Sequence, residues 1–350
     1  MVIGLDDVVA AETALSDVDG LVGRLVIAGH SLDKLAGRAS FEQMAAMLID
    51  GSITAGEIGN ARVEAYFRLV PDLDTVARLP LFDALRAAMA RLNDDTSQSA
   101  ALALLAAPAV LVPALLRLQA GARPVAPDQR LGHAADVMRM LMDRRPADDI
   151  ATALDTYLVT VSDHGLNAST FTARVVASTQ AGLTSSILAA LGALSGPLHG
   201  GAPGPVLDMI DAVGTAGQAE AVLTEMLDRG ERLMGFGHRI YRVRDPRADA
   251  LKAALAKLRK TERLELALAV EQTALRLLRE RKPDRPLETN VEFFTALLLD
   301  AIGFPREAFT AVFAMGRVTG WIAHAEEQAR SGRLIRPKSQ YVGPLPREAA

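Results

Sequence analysis

Apolar side chains recur every three or four positions along most of this chain, which is the spacing of an amphipathic helix. Between Ser40 and Gly51 the apolar stripe consists of Phe41, Met44, Ala45, Leu48 and Ile49. The same spacing predicts further helices at about 54–70, 80–92, 128–143, 148–164, 167–179, 185–194, 205–213, 218–229, 246–260, 261–281, 291–302 and 305–330. The pattern therefore predicts a predominantly helical protein.

Capping signals mark where several of these helices begin. The segments Ser40–Gln43 and Thr54–Glu57 are capping boxes, in which a hydroxyl and a Glu or Gln side chain satisfy each other's backbone N–H groups. Asp245 followed by Pro246 is the pattern of an N-cap with proline at the first helical position. These local signals predict helix starts at 41, 55 and 246.

The first thirty residues carry a different pattern. Two short apolar runs, Val8–Ala11 and Leu25–Ile27, flank the turn signal Asp19-Gly20, which predicts a short extended segment or hairpin. No convincing strand pattern follows it. The predicted fold class is therefore all-α, with about fifteen helices and a short extended or β segment at the N-terminus.

One apolar run is long enough to require a membrane test. Residues 100–116 consist almost entirely of Ala, Leu, Val and Pro. The run is slightly shorter than the ~18–20 residues of a spanning helix, and it contains Pro108 and Pro113. We interpret it as a kinked, buried helix of the core and expect no membrane partner.

Composition narrows the possible classes of function. The chain has 350 residues, enough for two domains or one large one, and its net charge of −4 gives no reason to expect nucleic acid as a partner. It contains no cysteine, which excludes disulfides, thiolate metal sites and a cysteine nucleophile. The N-terminus lacks the pattern of a signal peptide, so we expect a cytoplasmic protein.

Two glycine-rich loops hold the candidate chemistry. His199 lies in Gly196-Pro197-Leu198-His199-Gly200-Gly201, and His238 lies in Gly235-Phe236-Gly237-His238. Loops of this kind often place a catalytic imidazole, and the four arginines that closely follow His238 could clamp carboxylates or phosphates. A helix–loop–helix corner with a solvated basic face would give the same pattern. Gly235 and Gly237 are not a dinucleotide fingerprint, because no strand precedes them and the third glycine is missing.

Six motifs in order resemble those of the citrate synthase family. They are Asp163-His164-Gly165-Leu166-Asn167-Ala168-Ser169, Gly196-Pro197-Leu198-His199-Gly200-Gly201, Gly235-Phe236-Gly237-His238, Asp245-Pro246-Arg247, Asn290-Val291-Glu292 and Arg336-Pro337-Lys338-Ser339. Each motif alone is weak evidence, whereas all six in the family's order and spacing are strong evidence. The chain looks most like the short bacterial and archaeal branch, and within it the paralogues that carry Asn-Val-Glu.

The resemblance implies a two-domain helical homodimer without the regulation of the larger, NADH-sensitive relatives. The large domain would comprise residues 1–198 and 304–350, and a small mobile domain would comprise 199–303. The resemblance also implies condensation of acetyl-CoA with oxaloacetate, followed by hydrolysis of the citryl thioester to citrate and CoA. It implies no metal and no cofactor beyond these substrates.

The resemblance assigns roles to eight residues. Glu292 would be the base that takes the acetyl-CoA methyl proton, and His199 would stabilise the enolate. His238 would polarise the ketone of oxaloacetate. The remaining oxaloacetate ligands would be His164, Arg247, Arg317 and Arg336, with Arg336 coming from the neighbouring subunit. Arg242 would contact CoA, although Arg239 or Arg244 could serve instead.

Some of these residues also allow structural interpretations. His164 could simply cap a helix end, and Arg317 could be an ordinary surface arginine. We interpret His30, His133 and His324 as structural or surface residues. His324 lies two turns beyond Arg317 on the same predicted helix, so it could also support the site from behind.

The base departs from the family's usual Asp, and this keeps three functions open. The first is citrate synthesis. The second is 2-methylcitrate synthesis from propionyl-CoA, which differs by one methylene worth only ~1–3 kcal/mol in a pocket. The third is a weakly active or inactive paralogue with a metabolite-binding or regulatory role. The corner Ile27-Ala28-Gly29-His30 also lacks the Arg that many relatives carry before the glycine.

Overall fold

The computed structural model describes residues 8–49, 53–197, 199–200, 203–259 and 261–344. Within these ranges the chain forms fifteen α-helices and three short strands, which confirms the all-α prediction. The helices are α1 (Leu32–Leu35), α2 (Phe41–Leu48), α3 (Ala55–Leu69), α4 (Leu81–Met89), α5 (Gln98–Gln119), α6 (His133–Met142), α7 (Asp148–Val161), α8 (Ala168–Ala177), α9 (Leu183–Leu194), α10 (Pro203–Val213), α11 (Ala219–Asp228), α12 (Pro246–Leu255), α13 (Glu262–Arg281), α14 (Val291–Ala301) and α15 (Phe309–Ser331).

The N-terminal segment forms a three-stranded antiparallel sheet in the order β1 (Ser16–Asp19), β2 (Arg24–Ile27) and β3 (His30–Ser31). The predicted hairpin is therefore present, with its turn after Asp19. The prediction that Val8–Ala11 forms its first strand is wrong, because β2 pairs with Ser16–Asp19 instead. The paired strand is mostly polar, so no apolar run in the sequence marks it.

The capping signals place helix starts correctly. Ser40 accepts a hydrogen bond from the Gln43 backbone at 3.2 Å, and the Gln43 side chain accepts one from the Ser40 backbone at 2.9 Å. Thr54 and Glu57 form the same reciprocal pair ahead of α3. Asp245 caps α12 by accepting a hydrogen bond from the Arg247 backbone at 3.0 Å.

Several predicted helices are too long. The helix predicted from 128 begins at His133, because the Asp136 carboxylate accepts the backbone N–H of Asp128 and holds 128–132 as a turn. The helix that begins at Pro246 ends at Leu255. After it, backbone N–H groups donate to the carbonyl three residues earlier instead of four residues earlier. The helix expected to reach His164 ends at Val161.

The apolar run lies inside the fold, as predicted. It is part of α5, and 83% of its most apolar 18-residue window is buried. The helix packs against α3, α4, α6 and α15. Among the described residues it is the one helix long and apolar enough to cross a membrane, and burial within the fold accounts for its composition.

The last long helix, α15, approaches α7 closely enough to require glycine at two positions. A Cβ atom at Gly316 would lie 2.6 Å from Val161 Cγ2, and one at Gly320 would lie 2.4 Å from the Ser162 carbonyl oxygen. These glycines bring the backbone of α15 against the chain that leads into His164. The predicted domain boundaries stay a prediction, and Leu198 at the first of them lies outside the described residues.

Candidate active site

The loop that contains His238 is joined to the start of α14 by a short antiparallel bridge. Phe236 pairs with Thr289, and the Gly237 backbone donates to the Glu288 carbonyl at 2.8 Å. On the other side of the bridge, Asn290 donates from its backbone to the Gly235 carbonyl at 2.9 Å. The bridge thus joins two segments about fifty residues apart in the chain.

Glycine is required at both positions of this loop. Gly235 and Gly237 have φ values of +86° and +81°, which side chains rarely adopt. A Cβ atom at Gly235 would also lie 2.8 Å from Cβ of Phe293, and one at Gly237 would lie 2.7 Å from Cδ2 of Leu287. The two glycines therefore allow the loop to pack directly against α14 and the segment that precedes it.

His238 is held as a neutral imidazole. Its Nδ1 accepts backbone N–H groups from Ile240 at 3.0 Å and Tyr241 at 3.2 Å, which leaves the ring proton on Nε2. Burial and the nearby Arg247 lower the pKa of His238 to about 4. Arg247 Nη2 lies 3.3 Å from Nε2, so both N–H groups can donate to one shared oxygen atom of a ligand.

His164 lies beside this imidazole. The two rings meet edge to face with centroids 5.7 Å apart, and Nε2 of His164 lies 3.1 Å from the Tyr241 hydroxyl. The His164 side chain is buried, and burial together with Arg247 and Arg317 keeps its pKa well below the ordinary value. His164 is therefore a neutral group of the cluster and not a solvent-exposed helix cap. Tyr241 is a member of the cluster that the sequence did not single out.

Arg247 is fixed by a buried ion pair. Its Nε lies 3.0 Å from Asp245 Oδ1, and its Nη2 lies 2.8 Å from Asp245 Oδ2. Burial opposes the charge on Arg247, but Asp245 more than offsets this and raises its pKa. Asp245 also accepts the Val291 backbone N–H at 3.1 Å, so one carboxylate ties the cation to the start of α14.

Arg317 is buried with part of its hydrogen-bonding capacity unused. Its Nε donates to the Val161 carbonyl, and its guanidinium stacks over the Phe313 ring at 4.7 Å. Its Nη2 is buried and has no hydrogen-bond partner among the described residues, and burial lowers the Arg317 pKa to about 10. An unsatisfied buried guanidinium is costly, so its position indicates a site for an anionic group. The surface interpretation of Arg317 is wrong, because only 1% of its area is exposed.

Glu292 is the first-turn carboxylate of α14. Asn290 caps this helix by accepting the Glu292 backbone N–H at 3.0 Å, and it donates from its own amide to the Gly237 carbonyl at 2.7 Å. Burial raises the pKa of Glu292 to about 7, although Arg247 partly lowers it. A carboxylate that titrates near neutral pH is suited to general base catalysis.

His199 joins the cluster from a different loop. Its Nε2 lies 2.8 Å from the Ser169 hydroxyl, which is also hydrogen bonded to Asn167 at 2.8 Å and to the Trp321 indole at 3.2 Å. Burial and Arg317 lower the His199 pKa to about 4, so this imidazole is also neutral. Neither Ser169 nor Trp321 was expected from the sequence as a partner of His199.

Two predicted site residues lie apart from the cluster in the single chain. Arg336 is exposed on the extended tail after α15, and no hydrogen bond or ion pair of the described residues joins it to the cluster. Arg242 is exposed, and its backbone N–H donates to the Gly20 carbonyl at 2.8 Å. Arg244, one alternative to Arg242, is engaged by Asp249 and Glu271.

The histidines interpreted as structural separate into three cases. His30 is an exposed residue of β3. His133 is fully buried next to Arg62, on a helix that does not carry site residues. His324 is fully buried and contacts Asp163, the residue before His164. In the part of the chain that the structure describes, no group of three or more His, Asp or Glu side chains could hold a metal ion.

Comparison with known proteins identifies relatives over nearly the whole chain. The model of the citrate synthase C-terminal domain family matches residues 4–338. A putative citrate synthase 2 of Mycobacterium tuberculosis is 41% identical, covering 98% of this chain and 93% of the relative. A citrate synthase of Haloferax volcanii is 36% identical, covering 97% and 95%.

Solved structures show the same similarity. A citrate synthase from Pyrobaculum aerophilum superimposes with a TM-score of 0.87 at 32% identity, covering 99% of this chain and 93% of that chain. A ternary complex of the Thermoplasma acidophilum citrate synthase with carboxymethyl coenzyme A and oxaloacetate gives 0.87 at 28% identity, covering 99% and 97%.

Proposed function

Because this chain belongs to the citrate synthase family, we propose that it condenses acetyl-CoA with oxaloacetate and hydrolyses the citryl-CoA thioester to citrate and CoA. The observation that carries the proposal is the raised pKa of Glu292, about 7, at a site that also holds three neutral imidazoles and two buried guanidinium groups. A methyl group next to a thioester is weakly acidic. Removing its proton requires both a base near neutrality and a donor for the enolate oxygen.

The first step breaks a C–H bond of the acetyl methyl group. Glu292 takes the proton, and the electron pair moves into the thioester carbonyl to form an enolate. His199 stabilises the enolate oxygen. In this step the Ser169 hydroxyl turns its single proton from Asn167 Oδ1 to Nε2 of His199, which leaves the ring proton on Nδ1, where it can be donated to the enolate oxygen. A neutral imidazole is a weak enough acid to donate this hydrogen bond without protonating the enolate outright.

The second step forms the carbon–carbon bond. His238 donates from Nε2 to the ketone oxygen of oxaloacetate, and the enolate carbon attacks the polarised ketone carbon. The π pair of the ketone moves to its oxygen, which then takes up a proton, so that the proton removed by Glu292 is balanced by the one gained at the new hydroxyl. Arg247 and Arg317 bind the substrate carboxylates, with His164 as a further donor. The unpartnered Nη2 of Arg317 gains an acceptor in this arrangement. Water then hydrolyses the citryl thioester and releases CoA.

We further propose a cytoplasmic homodimer in which Arg336 of each chain completes the oxaloacetate site of its partner. The exposed position of Arg336 on an extended tail supports this arrangement, because such a tail can reach a neighbouring subunit. Arg242 is proposed to contact CoA, since its side chain is exposed beside the His238 loop. The positive charge at the site comes from guanidinium groups, and the proposed reaction uses no metal.

One assay tests the reaction and its alternatives. The protein is mixed with oxaloacetate and either acetyl-CoA or propionyl-CoA, and release of free thiol is followed. Faster release from acetyl-CoA supports citrate synthesis, whereas faster release from propionyl-CoA replaces it with 2-methylcitrate synthesis. Release with neither substrate above the rate without protein would contradict the proposal and favour the paralogue with a binding role.

A further inference from the structure

Helix α15 holds the 161–165 turn, which carries His164, by its backbone. Arg317 Nε donates to the Val161 carbonyl, and the Gly320 backbone N–H donates to the Ser162 carbonyl at 3.1 Å. Because residues three apart share one face of a helix, a single face of α15 makes both contacts. The turn is therefore held along its length by a helix and is not a free loop.

His324 continues this face and makes a third contact with the same turn. Its Nε2 lies 3.3 Å from Oδ2 and 3.2 Å from Oδ1 of Asp163. On the other side of the ring, Nδ1 accepts a hydrogen bond from Arg174 Nε at 3.0 Å, so the ring proton stays on Nε2 and is donated to Asp163. His324 and Asp163 are fully buried, and 1% of Arg174 is exposed.

Asp163 connects His324 to the backbone of the 161–165 turn. Its carboxylate also accepts the Gly165 backbone N–H at 3.3 Å and the hydroxyl of Ser16 in β1. The residues on both sides of His164 are thus anchored through one carboxylate. His164 itself projects from the anchored turn toward Tyr241 and His238.

We propose that His324 is a positioning residue for oxaloacetate binding. It does not touch substrate; it fixes Asp163, and through Asp163 it fixes His164 and the Val161 carbonyl that holds Arg317. This inference rests on the proposed function, in which His164 and Arg317 bind the carboxylates. A displacement of about 1 Å in such ligands costs up to ~10²-fold in a precisely arranged site. We expect about a tenfold loss of oxaloacetate affinity when the His324–Asp163 contact is removed.

Two variants separate the two contacts of the ring. The side-chain amide nitrogen of Gln is separated from Cβ by the same number of bonds as Nε2 of His. His324→Gln therefore keeps a hydrogen-bond donor for Asp163. The Asn amide reaches only as far as Nδ1, so His324→Asn keeps a partner for Arg174 and loses the contact with Asp163. Both replacements are neutral and polar, and they differ by one methylene.

Isothermal titration with oxaloacetate measures the effect without requiring turnover. We expect His324→Asn to weaken binding about tenfold and His324→Gln to stay within about twofold of the parent. In thiol-release kinetics, His324→Asn should raise KM for oxaloacetate while KM for acetyl-CoA stays unchanged. His133→Asn is the matched control, because His133 is equally buried but contacts Arg62; it should lower the melting temperature and leave affinity intact.

The outcomes distinguish the inference from the proposed function. Parental affinity in both His324 variants, or an equal loss in both, overturns the positioning role while the parent still binds oxaloacetate. A loss of affinity in His133→Asn as large as in His324→Asn also overturns it, since the effect would then be general destabilisation. A parent protein that binds no oxaloacetate refutes the proposed function, and the positioning role with it.

Discussion

Glu292→Gln should make the protein more stable at alkaline pH while removing its proposed base. The pKa of Glu292 is raised from 4.5 to about 7 in the folded chain, first by burial. One pKa unit corresponds to about 1.4 kcal/mol, so ionising this carboxylate costs the fold about 3 kcal/mol. Gln has nearly the same shape and carries no charge, and therefore it does not incur this cost.

The sign and the pH window follow from the direction of the shift. Below about pH 4.5 the carboxyl is protonated in both states and contributes no difference. Between about 4.5 and 7 the folded state keeps its proton while the unfolded state loses it, so stability declines as pH rises. Above about 7 the folded state is also ionised, and the full loss of about 3 kcal/mol has occurred.

Urea denaturation of parent and variant at pH 5 and pH 8 checks this reasoning. The free energy of unfolding of Glu292→Gln, relative to the parent, should rise by about 2.5 kcal/mol between the two pH values, since a small part of the loss has already occurred at pH 5. Glu64→Gln is the control, because Glu64 is exposed on α3, and its relative stability should stay constant. A constant difference for Glu292→Gln as well would refute a half-buried base that titrates near neutral pH.

The ionisation of Glu292 should also determine how the reaction rate depends on pH. Because only the ionised carboxylate accepts a proton, kcat/KM of the parent should fall about tenfold per pH unit below about 7. Glu292→Gln should abolish both turnover and exchange of acetyl-CoA methyl protons with solvent. Parental activity in this variant would remove Glu292 from the mechanism. A tenfold gain in turnover from Glu292→Asp would mean that the site is built for the shorter side chain.

Three further predictions concern the rest of the site. His238→Ala should lose thiol release by ~10²-fold or more, the scale of removing a donor to a developing oxyanion, with an unchanged melting temperature; activity within a few-fold of the parent would exclude it as the electrophile. Mixed dimers of Arg336→Ala and His199→Ala chains should regain part of the activity that each homodimer lacks, whereas stable mixed dimers without activity would contradict a shared site. Oxaloacetate alone should compact the protein in small-angle scattering, since its proposed ligands come from both predicted domains; no change, together with acetyl-CoA affinity independent of oxaloacetate, would count against closure.

Local signals in the sequence predicted much of the fold. The capping boxes at Ser40 and Thr54 and the N-cap at Asp245 involve residues within a single helical turn, so the sequence contains all of their partners. The predicted helix ends were less accurate, because they depend on contacts that reach beyond a single helical turn. The start of α6 is an example, since the Asp136 carboxylate holds the preceding segment as a turn.

The candidate site was also only partly predictable, because its contacts join residues far apart in the sequence. The motifs located His164, His199 and His238 on the chain, but the hydrogen bond between His199 and Ser169 joins residues thirty positions apart and has no local pattern. The contact between His324 and Asp163 spans 161 positions. Neither the sequence motifs nor the structure of a single chain shows what Arg336 contacts, because its proposed partner is another chain.

The bridge between Phe236 and Thr289 bears on how this enzyme family tolerates change. It fixes the spacing of the proposed electrophile and base, although these two groups are far apart in the sequence. The chain from Ala256 to Arg285 therefore lies within a loop whose two ends the bridge holds together. Doubling the length of a flexible loop of this kind costs only ~0.6 kcal/mol in closure entropy. Insertions in the exposed connection between α13 and α14, at residues 283–285, should consequently leave the reactive geometry intact, whereas a single methyl group added at Gly235 should disrupt it.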